Sequence, residues 1–466
     1  MLSSFIDFLL PALAVVLFFG GTVLIHELGH FLTAKWFGLR IDAFAVGMGP
    51  AIWKKEKNGV VYKICWLPIG GYVALPQLDI TGSAFENEDA KKGRLEPVAP
   101  WKRIIIAFAG PLMNIIAAFV LATIVWGVGK QADPGTQPPV IGEIARESPA
   151  YEAGLRKGDR IRMADKDRIH FWADLQIAAM LNKELDLQVV RDGEIHYIRD
   201  IPTTANALGY WSMAGIAPAM PDMLAVKVGR VFPDSAADKA GIHTGDTLVS
   251  AGGKEIRTME HFQETVQATE GEPIDITVRR ADSGDTDVLT LQPEWDGEYE
   301  RWLIGIGMSP VYAEVHPSPL SQIRYFQGSI FRTLKAFIRP EEAKKAAKGV
   351  GGPVMILSGM HMQVSHDFID GLWFTALINV NLAIINLLPL IILDGGHILV
   401  ALYEMIVGKM PPRGLIVSLA NVMVVILILL MVFLSFRDVS LLNKIYGESP
   451  DPTPTPEQPA SPADTP

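Results

Sequence analysis

Four stretches of the chain are almost wholly apolar and about 20 residues long, enough to cross a bilayer as helices. They lie at about Leu9–Phe31, Ile104–Val128, Leu372–Leu393 and Leu415–Phe436. Between the second and third the pattern changes to short apolar runs punctuated by Gly, Pro and Asp, as in strands and turns of a folded domain. Within Ser321–Ile338, Ile323, Phe326, Ile330, Leu334 and Phe337 or Ile338 recur at helical spacing, with Arg324, Arg332 and Lys335 off that stripe. This predicts an amphipathic helix, on the membrane surface or against the neighbouring domain; a core-packing helix fits the pattern equally. A charged helical run, Glu341–Lys348, follows, and the breakers Gly351-Gly352-Pro353 open a segment leading into the third span. Gly59–Leu75 is apolar and β-prone but broken by Pro68 and Gly70-Gly71, so it reads as a β-hairpin at the membrane interface. Irregular backbone cannot face lipid, so such a hairpin must line a cavity or pack on protein. The expected fold is a polytopic α-helical membrane protein. It has four transmembrane helices, a membrane-associated β-hairpin and two extracytoplasmic α+β domains.

Composition agrees with a membrane core carrying sizeable water-exposed domains. Of 466 residues 49% are hydrophobic and only 20% charged. The net charge of -10 gives no support for nucleic-acid binding, and no nucleic-acid partner is expected. The single Cys65 excludes an internal disulfide framework. The first apolar run lacks a basic leader, so a cleaved signal peptide is not expected. Lys and Arg cluster between the first two spans (Lys35, Arg40, Lys54, Lys55, Lys57, Lys91, Lys92, Arg94, Lys102, Arg103), and Lys409 and Arg413 lie between the last two. By the positive-inside rule both loops face the cytoplasm, and both termini and the long central segment face outward. The tail Ser449–Pro466 has seven prolines and no aromatic residue; it cannot build a core and is expected to be disordered.

The central segment contains a repeat. Ile141–Asp159 aligns without gaps to Val228–Asp246, and both carry Ser-x-Ala-x-x-Ala-Gly-[Leu/Ile]-x-x-Gly-Asp. Each copy reads as strand, short Ser-capped helix, Gly-Asp turn, strand, second helix (Ala173–Leu181; Met259–Ala268) and strand pair. Each closes on Gly-apolar-small-Pro, at Gly215-Ile216-Ala217-Pro218 and Gly307-Met308-Ser309-Pro310. The pattern resembles the PDZ domain, in tandem and in its bacterial, permuted strand order. The resemblance implies binding of an extended peptide, with its C-terminal carboxylate held by loops at Gly215 and Ile216 and at Gly305, Ile306 and Gly307. A second reading, in which both grooves are occluded, stays open. The expected division is 1–128 (two spans and hairpin loop), 138–219 and 220–311 (PDZ-like domains), 317–365 (linker helices), 366–447 (two spans) and 448–466 (tail).

The chemistry is concentrated in His26-Glu27-Leu28-Gly29-His30, inside the first apolar run, with no charge between Asp7 and His26. HExxH on a helix puts two imidazoles on one face, within reach of one zinc ion, and the glutamate can take a proton from water at the metal. Ionisable residues at membrane depth are costly, which points to function. A catalytic zinc needs a third protein ligand and an open position. Asp394 is the candidate, at the end of an apolar run broken by Pro389 and followed by Gly395-Gly396. Both motifs fall late in spans that run inward, so they share a depth. His397 would close the site as a fourth ligand and is not expected to bind; neither are His361 and His366.

These motifs, with Asn386 upstream of Asp394, the four spans and the tandem PDZ insert, resemble the site-two protease family of intramembrane zinc metalloproteases. The likeness is strongest to the bacterial, regulator-of-sigma-E-protease type. It covers all but the tail, and Gly110-Pro111-Leu112-Met113-Asn114 looks like the family's small-residue motif; Asn114 could equally bond a neighbouring helix. Ile391 stands where the family pattern commonly has a second proline. The resemblance implies Zn2+ held by His26, His30 and Asp394, Glu27 as general base, and Asn386 on the substrate backbone. It also implies that the hairpin's Gly71, Tyr72, Val73 and Ala74 present an edge strand to unwound substrate. The implied function is cleavage inside transmembrane segments of single-span regulators such as an anti-sigma factor. Cleavage would follow ectodomain trimming, in regulated intramembrane proteolysis and stress response, and the clearance of signal peptides is a second use. The implied location is the bacterial inner membrane, with the lipid bilayer as partner. The alternative is a catalytically idle PDZ membrane scaffold.

Overall fold

The computed structural model describes residues 2–78, 96–144, 148–205, 211–212, 215–221, 223–256, 259–297 and 301–447. The proline-rich tail lies outside them. The chain divides into two compact units, residues 1–124 with 346–466, and residues 125–345.

The first unit begins with helix α1 (Leu2–Trp36). Next come strands β1 (Ala43–Lys57) and β2 (Val60–Ala74), then helix α2 (Pro100–Val128). The segment Gly59–Leu75 is therefore not a hairpin by itself. It supplies one arm, and the turn at Asn58-Gly59 joins it to the other, β1. Strand β1 is hard to see in the sequence because its charged end, Lys54–Lys57, hides the apolar start Ala43–Val46. The hairpin also folds back on itself. Ala43–Val46 pairs with Gly71–Ala74 and also with Val61–Ile64, which pairs in turn with Trp53–Glu56. Gly47, Gly49 and Gly70 have φ of +83°, +88° and +80°, which side-chain-bearing residues rarely adopt, and they make the reversals possible. Gly71–Ala74 thus has one paired side and one open side among the described residues. A buried cluster of Phe31, Ala34, Ile41 and Ile106 receives Phe44, Tyr62 and Val73, so the hairpin packs on α1 and α2.

The unit continues with α3 (Pro353–His366), α4 (Phe368–Asn386), α5 (Asp394–Val407) and α6 (Arg413–Gly447). Four helices among the described residues are long and apolar enough to cross a membrane: Leu9–Trp36, Pro100–Val128, Phe368–Asn386 and Arg413–Asn443. The third does not run to Leu393 as hydropathy suggests. Pro389 cannot continue a helix, and the chain turns through residues 387–393 on hydrogen bonds such as Leu393 N–H to Leu390 O (2.8 Å). A further helix, α5, then occupies what reads in the sequence as a short loop. Buried Asp438 of α6 caps the start of α3, accepting from Gly352 N–H (3.1 Å) and Met355 N–H (3.0 Å).

The second unit holds the repeat. Ser148 and Ser235 cap the short helices Pro149–Glu152 and Ala236–Lys239. The two Gly-Asp turns recur for a structural reason. Buried Asp159 pairs with Arg191 and buried Asp246 with Arg280, tying each turn to the end of a later strand. Ile216–Pro218 pairs with Ile141–Ile144 in the first copy, and Ile306–Tyr312 with Met223–Val231 in the second. In the second copy Ile306–Tyr312 is the outermost strand of its sheet. Helix Pro319–Ile338 lies on the first copy: Phe326 is fully buried, Arg332 pairs with Asp174, and Lys335 and Arg339 pair with Asp167. Of the readings open for this helix, docking against the neighbouring domain is the one realised. Leu320, Phe331 and Ile338 remain exposed.

Candidate metal centre

His26 and His30 sit one turn apart on the buried side of α1. Their Nε2 atoms are 3.2 Å apart. Asp394, the first residue of α5, brings Oδ2 to 3.2 Å from His26 Nε2 and Oδ1 to 3.4 Å from His30 Nε2. Two residues from one span and one from a point 364 positions later in sequence thereby converge, their ligand atoms all within 4.8 Å of one another. No other such cluster of three occurs among the described residues. His397 lines the same cleft without joining the cluster, and His361 and His366 join none.

Local sequence explains how Asp394 arrives there. The turn carbonyls of Leu388 and Leu390 point at the start of α5, where a Cβ at Gly395 or Gly396 would stand 2.2 Å from them. Only glycine allows that approach. The carboxylate then sits at a helix N-terminus, where the backbone dipole favours negative charge.

The neighbouring helix α2 holds both rings. His30 Nδ1 is 2.8 Å from Ile106 O, which fixes it as a donor and leaves Nε2 as the lone-pair nitrogen. His26 Nδ1 lies 3.2 Å from the side-chain amide of Asn114, itself fully buried. Asn114 Oδ1 has no other partner. Presented to Nδ1–H, that oxygen would hold His26 in the same tautomer as His30. Gly110 lets the helix come this close, since a Cβ there would be 2.3 Å from His30 Nε2. Neither the Gly110 contact nor the Ile106 carbonyl was picked out from the sequence. The sequence signals are the Gly110–Asn114 motif and the spacing of 106, 110 and 114 along one helix face.

The donor set fits zinc. Two imidazole nitrogens and a carboxylate oxygen are its ordinary ligands, and Asp394 Oδ2 is buried with no hydrogen-bond partner, an arrangement a cation would relieve.

The cluster opens into a cleft of about 690 Å³ that also contains Glu27, Asn386, Gly71, Tyr72, Val73 and Arg103. Glu27 lies against the hairpin: a Cβ on Gly71 would be 3.1 Å from its Cγ. Asn386 Nδ2 is 3.4 Å from His26 Nε2, at the edge of the cluster. Ala74 continues the same strand outside the cleft lining. Gly215 and Ile216, and Gly305, Ile306 and Gly307, belong to the other unit and its two repeats. There Gly215 and Gly305 take φ of +89° and +77°, and the Gly305 carbonyl already accepts from Phe232 N–H (2.9 Å).

The model of the family described as Peptidase family M50 matches residues 14–430. The regulator of sigma-E protease RseP of Escherichia coli is 29% identical over 477 residues, covering 94% of this chain and all of that one. Its Salmonella typhimurium counterpart is 29% identical over 470 residues, covering 92% and 98%. A Vibrio cholerae protein with a provisional zinc-metalloprotease name is 28% identical over 437 residues, covering 87% and 93%. Among solved structures, the PDZ domain of a Listeria monocytogenes SdrC-like protein covers 18% of this chain and 85% of its own, at 18% identity and a TM-score of 0.17.

Proposed function

The chain belongs to peptidase family M50 and is a multi-pass membrane zinc metalloprotease; from that premise we propose how its residues divide the work. His26, His30 and Asp394 hold the zinc ion. Bound there, zinc supplies a Lewis acid that polarises a carbonyl and lowers the pKa of water toward ~7. Glu27 takes the proton from water and returns it to the leaving amine. Asn386 donates to the substrate backbone. Gly71–Ala74 pairs with the substrate segment after it unwinds, replacing hydrogen bonds that a helix loses when it opens. The observation that carries this reading is the buried convergence of the three ligand atoms beside the open edge of Gly71–Ala74.

The substrates are single-span membrane proteins of the anti-sigma-factor type, cut within the bilayer after their ectodomains are trimmed, and signal peptides on the same terms. The chain resides in the bacterial inner membrane, with the repeat-bearing unit and both termini outside the cytoplasm, as the Lys and Arg distribution favours. The PDZ-like pair, inserted between the second and third spans, acts as a size filter on ectodomains and offers the outer strand Ile306–Tyr312 to peptide C-termini. A zinc-free scaffold accounts for the repeats but not for an intact ligand set whose two imidazoles are held by Ile106 O and Asn114.

Co-expression with a panel of tagged single-span proteins tests the protease reading. Cleavage should occur with the parent and vanish with Glu27→Gln. Identical fragment patterns from both would refute it. Deleting 140–310 with a short linker should admit substrates with bulky ectodomains; unchanged discrimination in a zinc-loaded deletion would refute the filter.

A further inference from the structure

One face of α2 runs Arg103, Ile106, Ala107, Gly110 and Asn114, at helical spacings of three and four. Ile106, Gly110 and Asn114 serve the two histidines. Arg103 continues that face toward the cleft, which it lines together with Glu27, Asn386 and Asp394. Its side chain is only 10% exposed. Nη2 pairs with Glu404 Oε2 on α5, so the charge is compensated inside the protein. Nε is buried and has no hydrogen-bond partner. A buried donor without an acceptor is costly, and one on a side chain that lines a substrate cleft is poised to receive an acceptor from a substrate packed against it.

The acceptor follows from the substrate's chemistry. A segment drawn from the bilayer carries apolar side chains, so once unwound its polar groups are backbone N–H and C=O. A guanidinium already neutralised by Glu404 has little call for a carboxylate and suits a neutral oxygen. We infer that Arg103 is a substrate-binding residue whose Nε–H donates to a backbone carbonyl of the unwound segment, with Glu404 holding the guanidinium in place. This deepens the protease reading and rests on it.

The test uses the full zinc-loaded chain in lipid nanodiscs with a fluorescent transmembrane-segment peptide. Arg103→Leu should raise KM roughly tenfold to a hundredfold, as loss of one charged hydrogen bond does, with kcat within about threefold of the parent. Arg103→Lys keeps a cation beside Glu404 but places a methylene where Nε–H stands, so it should show a similar KM increase. Arg103→Leu paired with Glu404→Leu leaves no uncompensated carboxylate and should show the same KM increase in a fully stable protein. Anisotropy of the uncleaved peptide on Glu27→Gln should weaken by the same factor when Arg103→Leu is added. Parental KM and peptide binding in the paired variant would overturn the inference. So would a fall in kcat alone, or a parental KM in Arg103→Lys, either of which makes the ion pair with Glu404 purely structural. A parent that binds the peptide but never cleaves it would instead overturn the protease reading, while binding to Glu27→Gln would still report on Arg103.

Discussion

Replacing Gly110 with alanine adds one methyl at the tightest point of the metal centre. The new Cβ would lie 2.3 Å from His30 Nε2, 2.6 Å from His30 Cε1 and 2.9 Å from His26 Cε1. Ordinary contact begins at 3.4 Å, so the closest approach is 1.1 Å too short. The His30 ring cannot simply swing away, because its Nδ1 is held 2.8 Å from Ile106 O, one turn earlier on the same helix. Helix α2 must retreat instead, yet it is pinned against α1 at Gly29, where even a Cβ would stand 2.3 Å from Ala109 O. A ligand shift near ~1 Å far exceeds the roughly 0.2 Å tolerance of metal-ligand distances, and misplacing reacting groups by that much costs on the order of a hundredfold. Gly110→Ala should therefore lose most bound zinc and at least about a hundredfold in cleavage. Gly127→Ala, on the same helix with nothing within 4 Å, should keep both. Metal content by mass spectrometry, thermal unfolding in detergent and cleavage of a co-expressed substrate measure this. Parental zinc and cleavage in a folded Gly110→Ala protein would refute the close approach of α2 and its role in orienting the rings.

Glu27→Gln should abolish cleavage at full zinc occupancy, whereas Asp394→Ala should lose zinc and activity together; full zinc with near-normal cleavage in Asp394→Ala would remove that residue from the centre. Val73→Pro removes a backbone N–H from the Gly71–Ala74 strand and distorts its open edge. Cleavage should fall about threefold to tenfold or more, with Val73→Thr far milder, and equal rates for Val73→Pro and the parent would exclude edge pairing. In the repeat-bearing unit, burial tends to raise the Asp167 carboxyl, but Lys335 and Arg339 hold it below its ordinary value. A depressed folded pKa stabilises above the unfolded value near ~3.9, and that contribution is lost as pH falls through the folded value. Protection of helix Pro319–Ile338 against hydrogen exchange, taken relative to the intrinsic rate, should therefore fall below about pH 4, and Asp167→Asn should flatten that dependence. A parental pH profile in Asp167→Asn would mean the ion pairs do not hold the helix.

The sequence by itself determined whatever depends on neighbours a few residues apart. Hydropathy runs located four spans, because a bilayer demands unbroken apolar length. The i, i+4 histidines of HExxH already share a helix face, and the repeat's Ser caps and Gly-Asp turns are local devices. What only the tertiary structure decided depends on residues far apart in the chain. That α4 stops at Asn386 and α5 restarts at Asp394 was half legible in Pro389, but the need for Gly395 and Gly396 comes from carbonyls that a fold-back brings to them. The hairpin's first arm was invisible because its charged end breaks the apolar pattern, and its open edge exists only because Gly47, Gly49 and Gly70 let the arms double back. The hold of α2 on both histidine rings was also out of reach, since periodicity tells which residues share a face but not what that face will meet. Burial among distant partners is set by packing, and packing is a property of the assembled chain.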